Sequence, residues 1–410
     1  FVPAATQTIP EHMGFLRNKT ESTQQYLLSI IKDPGPKPGD GRGIRLVLWL
    51  LTCLSHVYAS VMQLRLFLYN KGLLRHHTLG CQVISVGNLT VGGTGKTPVV
   101  EVFARRLQEA GRRVAILSRG YKKRELALWE RLLDKALFRE SSRPPRVVSD
   151  GKSLLLDSRM SGDEPYMLAA HLPGVAVLVD KNRVKSGRYA INKQGRDTLV
   201  LDDGFQYLAL DHRIKIVLVD KQNPFGNGYV LPRGILREPI KNLNRADVIF
   251  ITKCDGGPTD ELRAKLRSLN HKAEIIECTH RARYLQNVFS AEKLPVTSLK
   301  GMSITAMSGI AAPDGFEREL ERLGAEVLIK ERFADHHRYT QQELIDIINR
   351  STAFGATAVV TTEKDAVRFP KLERSSIPLF FLRVDIELLS GKEDFNECIA
   401  RICFRRKEDC

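Results

Sequence analysis

Short apolar runs alternate with helix-length amphipathic segments along most of the chain. Six β-branched runs lie between residues 81 and 251, and five more lie between residues 274 and 383. Mostly apolar strands separated by helices are typical of a parallel sheet that is covered on both faces. The pattern therefore predicts a doubly wound α/β core. The predicted strands are 81–86, 113–117, 175–179, 198–201, 214–219, 247–251, 274–277, 303–307, 326–329, 358–361 and 378–383.

Glycine and proline residues divide this pattern into two halves. Gly256, Gly257 and Pro258 interrupt it between the two series of strands, and such clusters mark loops. We therefore expect two α/β domains, each with its own sheet. The predicted boundaries are 1–43 for an accessory or disordered leader, 44–80 for an N-terminal helix region, 81–252 for the first α/β domain and 253–410 for a smaller second one.

The N-terminal helix region is strongly apolar. The nineteen residues between Arg45 and Arg65 include no Asp, Glu, Lys or Arg, but they include Thr52, His56 and Gln63. Apolar residues recur at helical spacing, so one face is apolar and much of the other is polar. An amphipathic helix in the membrane interface fits this better than a spanning helix. A helix packed on its own domain is an equal alternative.

The amino-acid composition indicates which classes of binding partner to expect. The 410 residues include 63 Lys and Arg against 47 Asp and Glu, a formal charge of +16. This excess favours anions, such as nucleic acid, acidic phospholipid or a phosphorylated substrate. The chain has no interleaved aromatic and basic residues typical of a nucleic-acid module, so we expect no nucleic-acid partner. The seven scattered cysteines form no Cys-x-x-Cys pair, which predicts free thiols in a reducing compartment.

A glycine-rich turn follows the first predicted strand and precedes a predicted helix. Glycines let successive backbone N–H groups fold around a phosphate, and the helix adds the positive end of its dipole. We expect Lys96 to reach the β and γ phosphates and the Thr97 hydroxyl to hold Mg²⁺. Thr90 stands where the standard G-x-x-x-x-G-K-[ST] pattern begins with glycine, so this P-loop is irregular. The predicted nucleotide-binding residues in the loop are Thr90, Val91, Gly92, Gly93, Thr94, Gly95, Lys96 and Thr97.

Two acids end a later apolar strand. Asp202 and Asp203 follow the run 198–201 and precede a glycine. In P-loop proteins an Asp at the carboxyl end of a neighbouring strand binds Mg²⁺, because ligands gather at that edge of a parallel sheet. Successive strand residues point in opposite directions, so we expect only one of the two to face the metal. Alternatively, two adjacent acids at the end of a strand can simply form a turn.

Three further polar clusters contain candidate functional residues. Asp163 opens a predicted helix, where it could serve only as an N-cap. Arg237 and Glu238 lie in a predicted loop, where they suit a phosphate contact and a second metal carboxylate, or merely a surface ion pair. His336 lies beside Asp335 ahead of a helix, and catalysis there needs another group within reach.

These residues leave two enzyme classes open. One is a kinase that transfers phosphate to a small acceptor. The other is a GTPase, because the motif Thr252-Lys253-Cys254-Asp255 resembles the guanine-reading [NT]-K-x-D signature. The Asp-x-x-Gly motif of GTPases is absent after Asp202 and Asp203, so the kinase is the leading hypothesis and the GTPase is the alternative.

The motifs, taken in order, resemble those of the tetraacyldisaccharide 4'-kinase family of lipid A biosynthesis. The irregular P-loop with Thr90 is itself the form found in that family. An ordered set of motifs is far more specific than any single one. The motifs that carry the resemblance are 87–98, 118–121, 162–165, 201–206, 236–239, 335–337 and 362–366.

The resemblance implies a P-loop NTPase-like α/β domain and a smaller α/β domain, with the active site between them and an N-terminal membrane-associating helix. It implies transfer of the γ-phosphate of ATP, with Mg²⁺, to the 4'-hydroxyl of an acylated glucosamine disaccharide 1-phosphate. In this sequence the family's general base is Asp163, and His336 pairs with that base; His337 is the alternative for this pairing. The remaining implied roles are a catalytic Lys96, phosphate contacts at Arg119 and Arg237, and metal ligands at Asp203 and Glu238. Thr97 and Asp202 are further candidate metal ligands from the loop and strand-end patterns described above.

The resemblance also implies a location. Bacterial members are peripheral proteins on the cytoplasmic face of the inner membrane, so an anionic membrane surface is an expected partner. The leader at 1–43 and a charged insertion at 122–143 depart from the usual bacterial form and would suit a relative in a eukaryotic organelle such as the mitochondrion. The leader contains Glu11, Glu21, Asp33 and Asp40, which do not fit an acid-poor transit peptide. No oligomeric state is predicted.

Overall fold

The computed structural model of the chain describes residues 41–120, 143–370, 372 and 375–403. Nearly all of the predicted leader, nearly all of the 122–143 insertion and Cys410 lie outside these ranges.

One continuous sheet joins both halves of the described chain. It has thirteen strands, in the order β11-β10-β12-β13-β8-β7-β6-β1-β5-β2-β4-β3, with β9 paired to β8. The strands are β1 (Gln82–Asn88), β2 (Val114–Ser118), β3 (Arg146–Ser149), β4 (Ala176–Val179), β5 (Thr198–Asp202), β6 (Ile214–Asp220), β7 (Val248–Thr252), β8 (Glu274–Asn287), β9 (Lys293–Pro295), β10 (Ser303–Ser308), β11 (Glu326–Arg332), β12 (Ala358–Thr362) and β13 (Leu379–Ser390).

The expectation of a separate sheet for each half was wrong. Strands β4, β2, β5, β1, β6, β7 and β8 are parallel to one another, as are β11, β10, β12 and β13. The two parallel groups meet where β8 pairs with β13 in antiparallel orientation. Both strands run well beyond their predicted ends at residues 277 and 383, because their outer parts alternate polar and apolar residues instead of forming an apolar run.

Helices cover both faces of the sheet, as the doubly wound prediction requires. The helices are α1 (Arg42–Asn70), α2 (Lys96–Glu109), α3 (Ser158–Ser161), α4 (Asp163–His171), α5 (Arg183–Gln194), α6 (Asp260–Leu269), α7 (Pro313–Arg322), α8 (Gln341–Ala353), α9 (Glu363–Ala366) and α10 (Lys392–Cys403). The rings of Phe103, Phe250 and Phe395 pack edge to face between α2, β7 and α10, with centroids 4.9–6.2 Å apart. This packing fixes α2, and with it the loop at its start, on the sheet.

All eleven predicted strands are present, but two short strands were missed. β3 and β9 have four and three residues, and polar residues or a proline at their ends leave no continuous apolar run. Both pair in antiparallel orientation at or near the ends of the parallel groups.

The N-terminal helix α1 packs on the protein along one side and leaves an apolar side exposed. Ser55 Oγ donates to Val230 O at 2.8 Å and Gln63 Nε2 donates to Asn242 Oδ1 at 2.9 Å, so one side is docked on the first half. Within the described ranges, α1 is the one helix long and apolar enough to cross a membrane by length and composition. The other side exposes Leu46, Val47, Trp49, Leu50, Leu54, Val57, Val61, Leu64 and Phe67.

Candidate active site

The predicted phosphate loop lies between β1 and α2. Gly92 has φ +121° and Gly95 has φ +77°, values that glycine adopts without a steric penalty. Lys96 Nζ lies 3.3 Å from Asn88 Oδ1 and 3.4 Å from Asp203 Oδ1. The lysine ammonium is therefore held over the loop, at the edge of the sheet where β1 and β5 end.

Hydrogen bonds brace this loop against three neighbouring segments. Asn88 Nδ2 donates to Thr94 Oγ1 at 2.9 Å, and Thr252 Oγ1 donates to the Thr94 carbonyl at 3.0 Å. Val91 N donates to the Ile235 carbonyl at 2.7 Å. The loop shape is thus fixed by the strand before it, by the end of β7 and by the segment that carries Arg237.

The two acids at the end of β5 have different surroundings. Asp202 is buried and accepts a hydrogen bond from Ser118 Oγ at 3.0 Å. Burial raises its pKa to about 6, and the charges of Glu164 and Asp203 act in the same direction. Asp203 has φ +57°, and both of its oxygens lie 2.7 Å from Arg237 Nη1. Burial opposes ionisation of Asp203, but the charges of Lys96 and Arg237 lower its pKa.

Glu238 does not join these acids in a ready metal cluster. Its Oε1 accepts from Gln206 Nε2 at 2.8 Å, and its Oε2 accepts from Asn242 Nδ2 at 2.7 Å and from Arg245 Nη2 at 2.5 Å. Across the described part of the chain, no group of three or more acidic, His or Cys side chains is placed to hold a metal ion. The structure therefore does not bring the four predicted metal ligands together as a set.

The remaining donors still fit a magnesium ion. Proteins usually hold Mg²⁺ with one or two carboxylates, while substrate phosphates and water supply the other ligands. Burial and the charges of Glu164 and Asp203 raise the pKa of Asp202 more than the charge of Lys96 lowers it, so an added cation would favour its charged form. Asp202, Asp203 and the Thr97 hydroxyl at the start of α2 form a donor set of the right chemistry.

Asp163 is the first residue of α4 and is 5% exposed. Gly162, with φ +94°, occupies the N-cap position, so the N-cap reading of Asp163 was wrong. Asp163 Oδ2 lies 2.9 Å from His336 Nδ1 and accepts from Arg368 Nε at 2.9 Å. Its Oδ1 accepts from Arg338 Nη2 at 2.9 Å.

These partners keep Asp163 ionised. Burial acts to raise its pKa, but the hydrogen bond from His336 and the charges of Arg368 and Arg338 outweigh it, so the net pKa is lowered. Each carboxylate oxygen can accept two hydrogen bonds. Among the residues that the structure describes, Oδ1 accepts from Arg338 alone, so it can take a further hydrogen bond from a hydroxyl group.

His336, and not His337, faces Asp163. The His336 backbone has φ +66°, and its N–H donates to the Gly309 carbonyl at 3.2 Å. His337 instead packs between the rings of Phe333 and Tyr339. The choice of His336 made from the sequence therefore agrees with the geometry.

Glu164 and Lys364 extend the Asp163 cluster. Lys364 Nζ lies 3.4 Å from His336 Nε2 and 3.5 Å from Glu164 Oε1. Glu164 follows Asp163 in α4, and its charge acts on Asp202 at the end of β5. Electrostatic interaction therefore couples the Asp163 cluster to the strand-end acids.

Several basic residues of the site were not found from the sequence. Arg338 and Arg368 hold Asp163, but neither belongs to a motif whose chemistry stands out. Arg183 is buried, donates to the Asp202 carbonyl at 3.1 Å and lies 5.1 Å from the centre of the Tyr207 ring. Arg119, which was predicted, is exposed, and its charge contributes to lowering the pKa of Arg183.

The guanine-reading motif is engaged by neighbouring side chains. Lys253 Nζ pairs with Asp220 Oδ2 at 2.6 Å, and Asp255 pairs with Lys221. Lys253 and Asp255, the two side chains that would contact a guanine base, are thus each paired with an oppositely charged neighbour. The geometry does not favour the GTPase alternative.

Comparisons with known proteins find relatives of this chain over most of its length. The family profile of tetraacyldisaccharide-1-P 4'-kinase matches residues 47–403. The tetraacyldisaccharide 4'-kinase of Anaeromyxobacter dehalogenans (strain 2CP-C) is 42% identical over 348 residues, which cover 84% of this chain and 87% of the relative. That of Halothermothrix orenii is 36% identical and covers 94% of this chain and 99% of the relative. A crystal structure of LpxK from Aquifex aeolicus in complex with ATP matches with a TM-score of 0.67 and 29% identity, over 87% of this chain and 100% of the other.

Proposed function

The chain belongs to the tetraacyldisaccharide-1-P 4'-kinase family, and we propose the roles by which its residues perform the family's reaction. That reaction is the ATP-dependent phosphorylation of the 4'-hydroxyl of an acylated disaccharide 1-phosphate, a lipid A precursor. One observation carries the assignment of roles. Asp163 is buried and ionised, and the charge of its neighbour Glu164 acts on Asp202, at the strand end that also places Asp203 beside Lys96 of the braced loop.

The phosphate loop binds the triphosphate of ATP. Backbone N–H groups of residues 92–97 and the start of α2 surround the phosphates. Lys96 lies on the β and γ phosphates, where its charge offsets the negative charge that develops during transfer. Arg119 and Arg237 make further phosphate contacts. Thr97, Asp202 and Asp203 would hold Mg²⁺, which would supply positive charge to offset the negative charge of the triphosphate.

Asp163 orients the acceptor and takes its proton. The 4'-hydroxyl donates to Oδ1 of Asp163, and its oxygen attacks the γ-phosphorus as the bond to the β-phosphate oxygen breaks. The hydroxyl proton passes to the carboxylate as the new oxygen–phosphorus bond forms. His336 and Arg338 keep the carboxylate ionised and fixed in direction until that moment.

Helix α1 places the site at a membrane surface. Its docked side fixes the helix to the first half, and its exposed apolar side enters the interfacial layer of a bilayer. Basic residues such as Arg65, Lys71 and Arg75 then meet anionic headgroups, each contributing about 1 kcal/mol. The acceptor is a lipid and the donor is ATP, which favours the cytoplasmic face of the bacterial inner membrane; an organelle membrane is the alternative.

Radiolabelled nucleotide tests the reaction itself. The protein is incubated with γ-labelled ATP or GTP, Mg²⁺ and the disaccharide 1-phosphate lipid, and the lipid fraction is separated by chromatography. We expect label in the lipid with ATP and much less with GTP. Label that appears only as inorganic phosphate, or a preference for GTP, would contradict the proposal and restore the GTPase alternative.

A further inference from the structure

Residues 230–245 contact both helix α1 and the phosphate loop. They belong to the connection between β6 and β7, carry Arg237 and Glu238, and end in a short 3₁₀ helix, Ile240–Arg245. We call them the 230–245 segment. One side of the segment is bound to the loop and the other side to α1, so the segment connects the helix with the loop.

Backbone hydrogen bonds join the segment to the start of the loop. Val91 N donates to the Ile235 carbonyl at 2.7 Å. Arg237 N donates to the Leu89 carbonyl at 2.7 Å. An antiparallel β-bridge lies between these two bonds. The start of the loop therefore pairs with the segment as with a short neighbouring strand.

The side chain of Glu238 makes a second connection to the loop. Its Oε1 accepts from Gln206 Nε2 at 2.8 Å, and the same nitrogen donates to the Asn88 carbonyl at 2.9 Å. Asn88 ends β1, and its side chain lies 2.9 Å from Thr94 Oγ1 and 3.3 Å from Lys96 Nζ. The position of Glu238 is thus linked to residues at both ends of the glycine turn.

Two side chains of α1 hold the opposite side of the segment. Ser55 is buried, and its Oγ donates to the Val230 carbonyl at 2.8 Å. Gln63 Nε2 donates to Asn242 Oδ1 at 2.9 Å. Between them Tyr58 packs against the apolar cluster to which the segment contributes. Within the described ranges, these are the two hydrogen bonds that α1 side chains make to another element.

Asn242 passes the contact with α1 on to Glu238. Its amide oxygen accepts from Gln63, which leaves its Nδ2 to donate to Glu238 Oε2 at 2.7 Å. Arg245 Nη2 binds the same oxygen at 2.5 Å and lies on the same 3₁₀ helix as Asn242. Loss of the contact with α1 would therefore allow both partners of this oxygen to move.

The glycine-rich loop has reason to depend on such support. Glycine loses more conformational freedom on ordering than any other residue. A loop that is already held in its binding shape spares the ligand this cost, so a held loop binds more tightly than a loose one. Contacts that fix the 230–245 segment therefore favour binding of the triphosphate.

We propose that Ser55 and Gln63 are positioning residues, through which the docked side of α1 holds the phosphate loop in the shape that binds ATP. The inference rests on the proposed binding of ATP by this loop. Both side chains act through the 230–245 segment. The helix thus has a role in nucleotide binding that is separate from its contact with a membrane.

A double variant tests the proposal. Ser55→Ala with Gln63→Leu removes both hydrogen bonds and leaves the exposed apolar side of α1 intact. We expect the Kd for ATP, measured well below the unfolding temperature, to rise by about 5-fold or more, since one hydrogen bond is worth a factor of about 2 to 10. Liposome co-sedimentation should not change. The matched control is Ser60→Ala with Asn70→Leu, at exposed positions of α1, and it should bind ATP like the wild type.

A wild-type Kd in the folded double variant would overturn the proposal. ATP binding by the wild type and by Lys96→Ala is measured in parallel. If the wild type does not bind ATP, or if Lys96→Ala binds it equally well, the role of the loop has failed and this inference fails with it. If only the double variant is unaffected, the role of the loop stands and this inference alone fails.

Single variants of Gln63 separate hydrogen bonding from packing. Gln63→Glu has the size of glutamine but no N–H, whereas Gln63→Lys can still donate to Asn242. We expect the glutamate variant to weaken ATP binding and the lysine variant to keep most of it. Ser60→Glu and Ser60→Lys control for the added charge and should have little effect. A glutamate variant that binds ATP like the wild type would contradict the proposal.

The wild-type protein decides the matter if the variants do not fold. Coupling between two sites is reciprocal, so ATP must favour the docked state of α1 as much as docking favours ATP. We expect amide hydrogen exchange in α1 and in the 230–245 segment to slow when ATP is added. Exchange that slows in residues 92–97 but stays unchanged in α1 at saturating ATP would overturn the proposal.

Discussion

Two buried aspartates of the candidate site have different electrostatic surroundings. Asp202 has a hydroxyl partner, and burial and two acidic neighbours outweigh the charge of Lys96, so its pKa is raised to about 6. Asp163 has one histidine and two arginines around it, and its pKa is lowered. The contrast assigns different chemistry to each: Asp202 needs an added cation, while Asp163 stays anionic without one and is free to bind a hydroxyl. Environments that differ in this way are typical of groups with different catalytic roles.

The largest expected effect comes from removing the cation that lies between the loop and Asp203. Lys96→Ala removes the ammonium group from the phosphates, so we expect transfer to fall by about 10³-fold or more. The measurement is label transfer from γ-labelled ATP to the lipid, with Lys241→Ala, at an exposed position, as the matched control. Substantial transfer by the Lys96 variant would mean that the glycine loop is only structural.

A smaller effect is expected when Asp163 loses one of its cations. Arg338 is partly exposed, and its charge helps to lower the pKa of Asp163. Arg338→Gln should raise that pKa, so the acid limb of the kcat profile should move to higher pH. The depressed pKa also stabilises the fold above the ordinary pKa of an aspartate, and this stabilisation is lost as pH falls through the lowered value.

The Arg338 prediction is checked by kcat and thermal unfolding across the acidic range. Arg350→Gln, an exposed arginine elsewhere in the second half, is the control. An acid limb that does not move would show that Arg338 has no influence on the ionisation of Asp163. A limb that moves to lower pH would contradict the electrostatic comparison of the two aspartates.

The smallest effect on turnover is expected from substitutions on the exposed apolar side of α1. Trp49 is 61% exposed and Val57 is equally exposed. Introducing W49E and V57E together should weaken co-sedimentation with anionic liposomes by about tenfold or more, because each charge is costly in an apolar layer. ATP hydrolysis or transfer to a short-chain, soluble acceptor should be unchanged. Equal liposome binding by variant and wild type would favour a helix that serves only to pack on the protein.

The sequence predicts the parts of this molecule that repeat a local pattern. The apolar runs predict eleven of the thirteen strands, and the strand–glycine–helix order around Lys96 predicts the phosphate loop. The family resemblance is confirmed by the matches over residues 47–403, and it selects Asp163 and His336, which the structure places 2.9 Å apart. The division into two domains at residue 252 stays a prediction.

The sequence does not predict the parts of the site and of the fold that depend on contacts between distant segments. Arg368 is fully buried and binds Asp163 from 205 positions away, and no local spacing announces such a pair. Glu101 and Arg383 are 282 positions apart. The single sheet was missed for the same reason, because the pairing of β8 with β13 depends on alternating residues in two distant segments.

The role of Asp163 as the general base is checked by single-turnover phosphoryl transfer and ATP affinity, measured side by side for Asp163→Asn. The amide keeps the shape of the side chain but cannot take the hydroxyl proton. We predict a transfer rate lowered by about 10²-fold or more, with the Kd for ATP nearly unchanged. A variant that transfers phosphate at the wild-type rate would contradict the account.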